Sequence, residues 1–301
     1  MPQVPPLISV IIPHLNQAAE LDACLRSLSE QTLSRDHFEV IVVDNGSNSM
    51  PHGVVSKYRS ICLLQETEPG PGLARNRGVL ASQGALLCFV DADCRAHPQW
   101  LSVALDQSDK CGAGTILGGD VQIWRDDTEK FSAIEAYESV FAYMQKRYIE
   151  EHGFSGTGNL VVKRADFDQI GAFVGIEAAE DMEWGARALS KGFGFKYVDS
   201  LIVYHPARKS LRELLLKWDR HLTHYANKAR ERRYWRFAWG LRAIGVLGSP
   251  FLSAMRVIAN NRVRGAGAKV KAIGVLFVVR VYRAWKMIRL MVSPGKISWN
   301  R

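Results

Sequence analysis

Short apolar runs separated by polar turns dominate the first two hundred or so residues of the chain. Leu7–Pro13 (Leu-Ile-Ser-Val-Ile-Ile-Pro) predicts a buried strand stopped by proline, and Phe38–Asp44 a second that ends in Asp44-Asn45-Gly46-Ser47. Ile61–Gln65 predicts a shorter third strand, and 85–90 a fourth. Between them, Ala18–Leu28 repeats apolar residues at helical spacing through Leu21, Leu25 and Leu28. Pro69–Gly78 starts as a loop and turns into a helix, and a further helix follows from Pro98. Runs that are apolar throughout, rather than alternating, suit strands covered on both faces. Strands alternating with helices in this way predict an α/β fold with a mostly parallel, mixed sheet flanked by helices.

The pattern then becomes more mixed. Thr115–Ile123 and Leu160–Lys163 predict strands, with one helical segment across 128–149 and a glycine-rich loop at Gly153–Asn159. Ala179–Lys191 predicts a helix closed by Gly192, and Phe195–Tyr204 a last strand ended by His205-Pro206. From Ser210 onward the chain reads as basic amphipathic helix, with Leu211, Leu214, Leu215 and Trp218 on one stripe. Ala243–Met255 is apolar over 13 positions but contains Gly-Ser-Pro, and Val270–Val292 is interrupted by Lys271, Arg280, Arg283, Lys286 and Arg289. A spanning helix needs about 20 predominantly apolar residues, so both segments are expected to lie in a membrane interface with their cations snorkelling outward.

Charge sharpens that division. Residues 1–207 carry 17 Lys+Arg against 27 Asp+Glu, a balance of −10, whereas 208–301 carry 22 against 3, a balance of +19. We therefore expect a body at 1–207 and a basic, membrane-associating helical region at 208–301. Such asymmetry points to nucleic acid or to an anionic membrane. The richness of the basic region in Leu, Ile, Val and Phe favours acyl chains over bases, although Tyr234, Trp235 and Trp239 among the arginines would suit base stacking. The five cysteines lie within the first 111 residues with no C-x-x-C pair, as expected of buried thiols in a reducing compartment. The N-terminus shows no basic stretch followed by an apolar one, so a chain without a signal peptide, working in the cytoplasm, is expected.

The strongest candidate for chemistry is Asp91-Ala92-Asp93, two carboxylates placed abruptly after the apolar run 85–90. Ligands of parallel sheets bind beyond the carboxyl ends of the strands. Two acids there fit a hard divalent ion such as Mg²⁺ or Mn²⁺, whose shell substrate phosphates complete. The alternative is an Asp that caps the following helix.

Ile8-Ser9-Val10-Ile11-Ile12-Pro13, Val42-Val43-Asp44-Asn45-Gly46-Ser47, Gly72-Leu73-Ala74-Arg75-Asn76-Arg77-Gly78 and Asp91-Ala92-Asp93 occur in the order and spacing seen in family 2 glycosyltransferases. Glu180-Asp181 and His205 continue the match, so residues 7–206 resemble that family. The resemblance implies a GT-A fold and inverting transfer from a nucleotide-sugar, of UDP type. It places Asp44 and Asn45 at the nucleoside, with a turn-forming Asp-Asn-Gly as the alternative for Asp44, and Pro13 and Asn16 as the floor beneath the base. Gly72 and Arg75 fall to the nucleotide, Asp91 and Ala92 to the ribose and metal shell, and Gly158 to a wall beside the donor sugar. Asp93 becomes the direct metal ligand and His205 a further one, with a structural His before Pro as the alternative. Asn76 reads equally as a structural hydrogen bonder, and Trp184 equally as core.

Inversion needs one in-line attack by an acceptor hydroxyl, whose proton a carboxylate takes best if partly desolvated. Asp181 shares an inward stripe with Trp184 and Ala188 and is expected to be this base; adjacent Glu180 is expected to bind acceptor or support the helix start. Glu183 and Arg187, spaced i, i+4, read as a surface ion pair. The processive Gln-x-x-Arg-Trp motif is absent, and Lys217-Trp218-Asp219-Arg220 is a distant echo of it, so one sugar per binding event is expected. Together these features predict a peripheral enzyme at the cytoplasmic face of a bacterial inner membrane, acting on a lipid-linked or membrane-held glycan; the family resemblance alone implies surface or exopolysaccharide assembly as the setting. Competing readings are a catalytically inactive membrane-bound partner of another transferase, a nucleic-acid-binding protein, and a nucleotidyltransferase.

Overall fold

The computed structural model describes residues 6–127, 129–176 and 179–293. In chain order its elements are β1 (Ile8–His14), α1 (Ala18–Ser29), β2 (Phe38–Asp44), α2 (His52–Val55), β3 (Ile61–Gln65), α3 (Pro71–Ala81), β4 (Leu86–Val90), β5 (Arg95–Ala96), α4 (Trp100–Lys110) and β6 (Thr115–Trp124). There follow α5 (Ala133–Phe141), α6 (Gln145–His152), β7 (Asn159–Lys163), α7 (Arg164–Ile170), α8 (Glu180–Ser190) and β8 (Gly194–Pro206). Four helices end the chain: α9 (Leu211–Ala229), α10 (Trp235–Gly248), α11 (Pro250–Ala259) and α12 (Ala266–Val292). They fall into two compact units, Met1–Gln122 with Tyr143–Pro206, and Ile123–Ala142 with Ala207–Arg301.

The first unit is built on one eight-stranded sheet of order β3-β2-β1-β4-β7-β6-β8-β5. The pairs β2–β3, β1–β2 and β1–β4 are parallel, whereas β4–β7, β6–β7 and β5–β8 are antiparallel. Every residue of β4 is buried, as its unbroken apolar run requires. On one face α1 buries Leu21, Cys24, Leu25 and Leu28 in a cluster with Trp100 and Leu101 of α4. On the other, Phe89 meets Phe167, Phe173 and Trp184. All five cysteines are free thiols.

The expected helix across 128–149 is instead two helices, broken at 142–144. α5 starts in a capping box, in which Ser132 Oγ accepts from the Glu135 amide and Glu135 accepts from the Ser132 amide. The break falls at Tyr143, whose φ of +46° lies in the left-handed region where an L-residue cannot continue a right-handed helix. Thr128 lies outside the described residues.

In the second unit α10 buries Trp239, Ala243 and Val246 against Leu222 and Ala226 of α9 and Ala284, Met287 and Leu290 of α12. Trp218 lies beneath the Arg283 guanidinium at 3.7 Å, and Asp219 accepts from the Tyr282 hydroxyl and pairs with Lys286. The Lys-Trp-Asp-Arg stretch thus serves the packing of this bundle. Among the described residues no single helix is long and apolar enough to cross a membrane; α10 and α11 pass that test only together, bent by 46°. The bend falls where Pro250 starts α11, since proline cannot continue the hydrogen-bond ladder of α10.

Candidate active site

The chain runs from β1 outward to β2 and β3, then returns to lay β4 on the other side of β1. Such a change of direction opens a crevice beyond the carboxyl ends of the parallel strands. His14 ends β1 opposite Asp44 of β2, and Asp91 follows β4 directly.

At the β2 end Asp44 is fully buried. One carboxylate oxygen lies 2.9 Å from His14 Nδ1, and the other accepts from the Gly46 and Ser47 amides at 3.3 and 3.0 Å. Burial raises its pKa, but the hydrogen bonds from Ser47 and His14 outweigh that and hold it below the ordinary value. His14 Nε2 accepts from the Gln17 amide, which leaves the proton on Nδ1 for Asp44. Asn16 (φ +55°) accepts from the Asn48 amide at 2.9 Å, and Asn45 bridges the Glu66 and Glu68 carbonyls and the Gly70 amide. Pro13, Asn16, Asp44 and Asn45 are thus gathered at one strand end, with the Asp44 side chain spent on shaping the 45–48 turn.

Arg75 of α3 is 3% exposed and joins two acids: Nη2 lies 2.6 Å from Asp91 Oδ1 and Nη1 lies 3.0 Å from Glu180 Oε1. Burial alone would lower its pKa, and the two carboxylates more than reverse this. Its Nε is buried without a partner. Gly72, one turn earlier, packs against the Val174 carbonyl with no room for a Cβ and lies beside Glu180. Asn76 clamps the same segment, donating to the Phe173 carbonyl at 2.8 Å and accepting from its amide at 2.9 Å. A Cβ on Gly158 would stand 2.7 Å from Asp91 Oδ2, so the glycine lets the 156–158 loop approach that carboxylate. Ala92 is buried in the turn closed by the Cys94 amide on the Asp91 carbonyl. Neither Asp91 nor Asp93 caps a helix: α4 begins only at Trp100 and has no side-chain cap.

Asp93 Oδ2 lies 3.1 Å from His205 Nε2 and 3.5 Å from Gln17 Nε2. His205 Nδ1 donates to the Pro206 carbonyl at 2.7 Å, and the Tyr143 hydroxyl lies 2.9 Å from Nε2. The carboxylate is an oxygen donor of the kind Mn²⁺ or Mg²⁺ prefers, and the imidazole held by a backbone carbonyl is a softer nitrogen donor beside it. Among the described residues no three His, Cys, Asp or Glu side chains converge on one point. Asp93 and His205 would by themselves fill only part of a coordination shell, the rest of which waters or substrate oxygens would have to supply.

Asp181 heads α8 beside Glu180, and its Oδ1 accepts from the Met182 amide at 2.8 Å. Burial, then the neighbouring Glu180 charge, raises its pKa. Trp184 is core, enclosed by Phe167, Phe173 and Phe195, with Nε1 donating to the Gly171 carbonyl. Glu183 and Arg187 form the expected ion pair at 2.7 Å.

Residues the motifs did not reveal are His14, Gln17 and Tyr143; Asn159 closes the glycine-rich loop, but its partners were not legible. Asn159 is fully buried, accepts from Trp100 Nε1, and donates to the Asp120 and Leu201 carbonyls at 2.8 Å, which ties the loop beside Asp91 to the sheet.

The profile of "Glycosyl transferase family 2" matches residues 9–171. The chain is 31% identical over 218 residues to glycosyltransferase AglE of Haloferax volcanii, an alignment that covers 70% of each chain. Among solved structures it superposes on mannosyltransferase PcManGT of Pyrobaculum calidifontis, in complex with GDP-Man and Mn²⁺, with TM-score 0.59 and 17% identity; 97% of this chain and 88% of that one are covered. Residues 1–349 of Staphylococcus aureus TarS, in complex with UDP-GlcNAc, give TM-score 0.55 at 20% identity over 92% and 90%. These likenesses bear out the α/β, GT-A type of fold. With its motifs gathered at the ends of β1, β2 and β4, the chain belongs to glycosyl transferase family 2 and is an enzyme that transfers sugars.

Proposed function

We propose that the chain moves one sugar per encounter from a nucleotide-sugar donor of UDP type to a lipid-linked or membrane-held glycan, with inversion at the anomeric carbon. The observation that carries this reading is Asp181: a carboxylate of raised pKa, at the head of a helix whose neighbouring residue is tied through Arg75 to Asp91. In the reaction the acceptor oxygen bonds to the anomeric carbon as the bond from that carbon to the diphosphate breaks. Asp181 receives the hydroxyl proton, and the nucleoside diphosphate departs.

Electrostatics supports a divalent ion. Asp91, Asp93, Glu180 and Asp181 face the single guanidinium of Arg75 and the ring of His205. Such a cluster repels a diphosphate unless further positive charge enters with it. Asp93 and His205 would hold the ion, with Asp91 beside them. When bound, Mn²⁺ or Mg²⁺ supplies Lewis-acid stabilisation of the leaving diphosphate. Complexes of PcManGT with GDP-Man and Mn²⁺ and of TarS with UDP-GlcNAc support a nucleotide-sugar donor and a divalent metal. At the other strand end, Asp44 acts through the turn it shapes: the 45–48 backbone and the Pro13–Asn16 segment form the nucleoside seat.

The membrane setting rests on the second unit. Its helices carry the basic surplus, and the described part of α10 and α11 exposes Phe237, Ile244, Phe251 and Leu252. We place the enzyme peripherally on the cytoplasmic face of the membrane, in surface-polysaccharide assembly. The deciding experiment measures nucleotide release and glycan product with UDP-sugars and GDP-sugars, with Mn²⁺, Mg²⁺ or EDTA. Metal-dependent release from one UDP-sugar, lost in Asp93→Ala, is expected. Release from a GDP-sugar alone moves the base assignment, and no nucleotide binding at all sinks the donor reading.

A further inference from the structure

The second unit holds a cavity of about 220 Å³ between α9 and α10. Tyr225, Lys228 and Arg232 line it from the α9 side, and Trp235, Trp239 and Arg242 from α10. Trp239 donates its indole N–H to the Met287 carbonyl, so its ring offers the cavity an apolar wall with no unmet polar group. Arg242 lies 5.8 Å from both the Tyr225 and the Trp239 ring centroids. Lys228, Arg232 and Arg242 have no carboxylate partner among the described residues, and no acid lines the cavity. The positive field extends along α9: His221, one turn before Tyr225, is held down to about 4 by burial and then by Lys217, Arg220, Arg208 and Arg283.

Helix α10, which lines the cavity, and α11, which follows it, are apolar on the wrong side for water. α10 buries Trp239, Ala243 and Val246 inward, yet its outer stripe of Phe237, Leu241 and Ile244 is exposed by 72, 55 and 70%. α11 repeats this: Val257 is fully buried while Leu252 and Met255 stand out. Helices that are hydrophobic all round belong in an apolar surrounding. A cavity with three cations that no carboxylate pairs and with aromatic walls, lined by α10 and followed in the chain by the equally apolar α11, matches a ligand with an anionic phosphate head and hydrocarbon tails.

We infer that this cavity is a binding site for the phosphate of an anionic glycerophospholipid, whose acyl chains lie along the outer stripes of α10 and α11. The inference deepens the membrane reading above and rests on it. It assigns docking to a built site rather than to net charge alone. A phosphodiester enters among Lys228, Arg232 and Arg242, with the half-buried Trp235 at headgroup depth, where indole rings partition.

The test is partition of the full chain onto phosphatidylcholine vesicles with and without phosphatidylglycerol, for wild type, Arg232→Ala/Arg242→Ala and Arg256→Ala/Arg264→Ala. The two pairs remove equal charge, and all four side chains are exposed, so folding is not at stake. Two cations near an anionic surface are worth roughly thirtyfold in binding wherever they sit, and a built site adds to that. The prediction is a loss several-fold larger in the first pair than in the second. Quenching of tryptophan emission by brominated phosphatidylglycerol, reduced in Trp235→Phe, is the second readout. Equal losses in both pairs overturn the site and leave the membrane reading standing. Binding that requires a polyisoprenyl phosphate overturns the choice of ligand. If wild type ignores every vesicle yet still releases nucleotide from its donor, the membrane reading itself fails while the transferase reading survives.

Discussion

Replacing Arg75 with Met probes the ion bridge that ties the strand β4 end to helix α8. Arg75 is 3% exposed, whereas the Asp91 and Glu180 side chains keep 39% and 21% of their exposure. Two unit charges about 4 Å apart attract by roughly 4 kcal/mol at an effective dielectric of 20, and desolvation of the guanidinium cancels much of that. The substitution instead reports what remains: two carboxylates facing one another without the cation between them. Breaking a buried pair from one side costs about 3–5 kcal/mol, and the partial hydration of both acids puts this case near the lower end. Met also removes the partnerless Nε, a buried donor whose burden is about 1 kcal/mol or more. The net expectation is a loss of about 2 kcal/mol.

Hydrogen exchange of the β1 and β4 amides along a urea series isolates the first unit and gives that number. The double variant Arg75→Met/Glu180→Gln should recover about half of it, because one of the two opposed charges is then gone. A single-variant cost below about 0.5 kcal/mol, within the range of ordinary surface changes, would falsify the bridge as a structural element. A double variant less stable than the single one sinks the repulsion argument.

Three further outcomes are expected. Asp181→Asn should lower transfer by about 10²–10⁴-fold while raising stability at neutral pH: a raised pKa means that the folded state binds the proton more tightly than the unfolded one, so ionisation at neutral pH costs stability. For the same reason the wild-type rate should fall on acidification at a pH above that of an ordinary carboxylate, and a variant with full activity and an unchanged acid limb removes Asp181 from the base role. Gly158→Ala, whose Cβ would stand 2.7 Å from Asp91 Oδ2, should raise the donor KM by about tenfold or more with little change in Tm; an unchanged KM shows the loop can retreat at no cost. EDTA should abolish turnover and Mn²⁺ or Mg²⁺ restore it, but not in Asp93→Ala; turnover in EDTA contradicts the electrostatic argument for an ion.

The parallel half of the sheet was legible because β1, β2 and β4 are written as apolar runs, interrupted only by Ser9 and Glu39 and each followed by a proline or an acid. The place of Asp91 and Asp93 just beyond β4 was legible for the same reason. The Glu183–Arg187 pair followed from spacing alone. Partnership across the chain was not legible. Arg75 read as a nucleotide contact, yet Glu180, one of its two partners, is 105 residues away. Asp44 read as a ligand of the base, and its pairing with His14 across 30 residues appears only once β1 and β2 lie side by side. Helix α7 escaped because its seven residues are too few for a periodic pattern. The division of 128–149 into α5 and α6 escaped because Phe141-Ala142-Tyr143 is as apolar as a helix interior.

That last break has a chemical counterpart. A tyrosine held at φ +46° carries about 1–2 kcal/mol of backbone strain, which a helix running straight through 142–144 would avoid. The strained turn brings the Tyr143 ring to 4.6 Å from the His205 ring, with the hydroxyl on Nε2. Because Nδ1 faces the Pro206 carbonyl, the proton of a neutral His205 belongs on Nδ1, and Nε2 presents a lone pair. That lone pair stands 3.1 Å from an oxygen of Asp93, so two acceptors confront each other across the spot where family resemblance expects a metal. Only positive charge between them makes the arrangement favourable, whether a second proton on the ring or a cation shared with the carboxylate. Backbone strain that persists is found where the surroundings over-determine it, and such places cluster at functional sites. Here the surroundings are an imidazole locked by a carbonyl, a phenol aimed at its free nitrogen, and a carboxylate at the end of β4. The facing acceptors beside that strained turn are what positive charge shared by Asp93 and His205, from a second ring proton or a cation, would relieve.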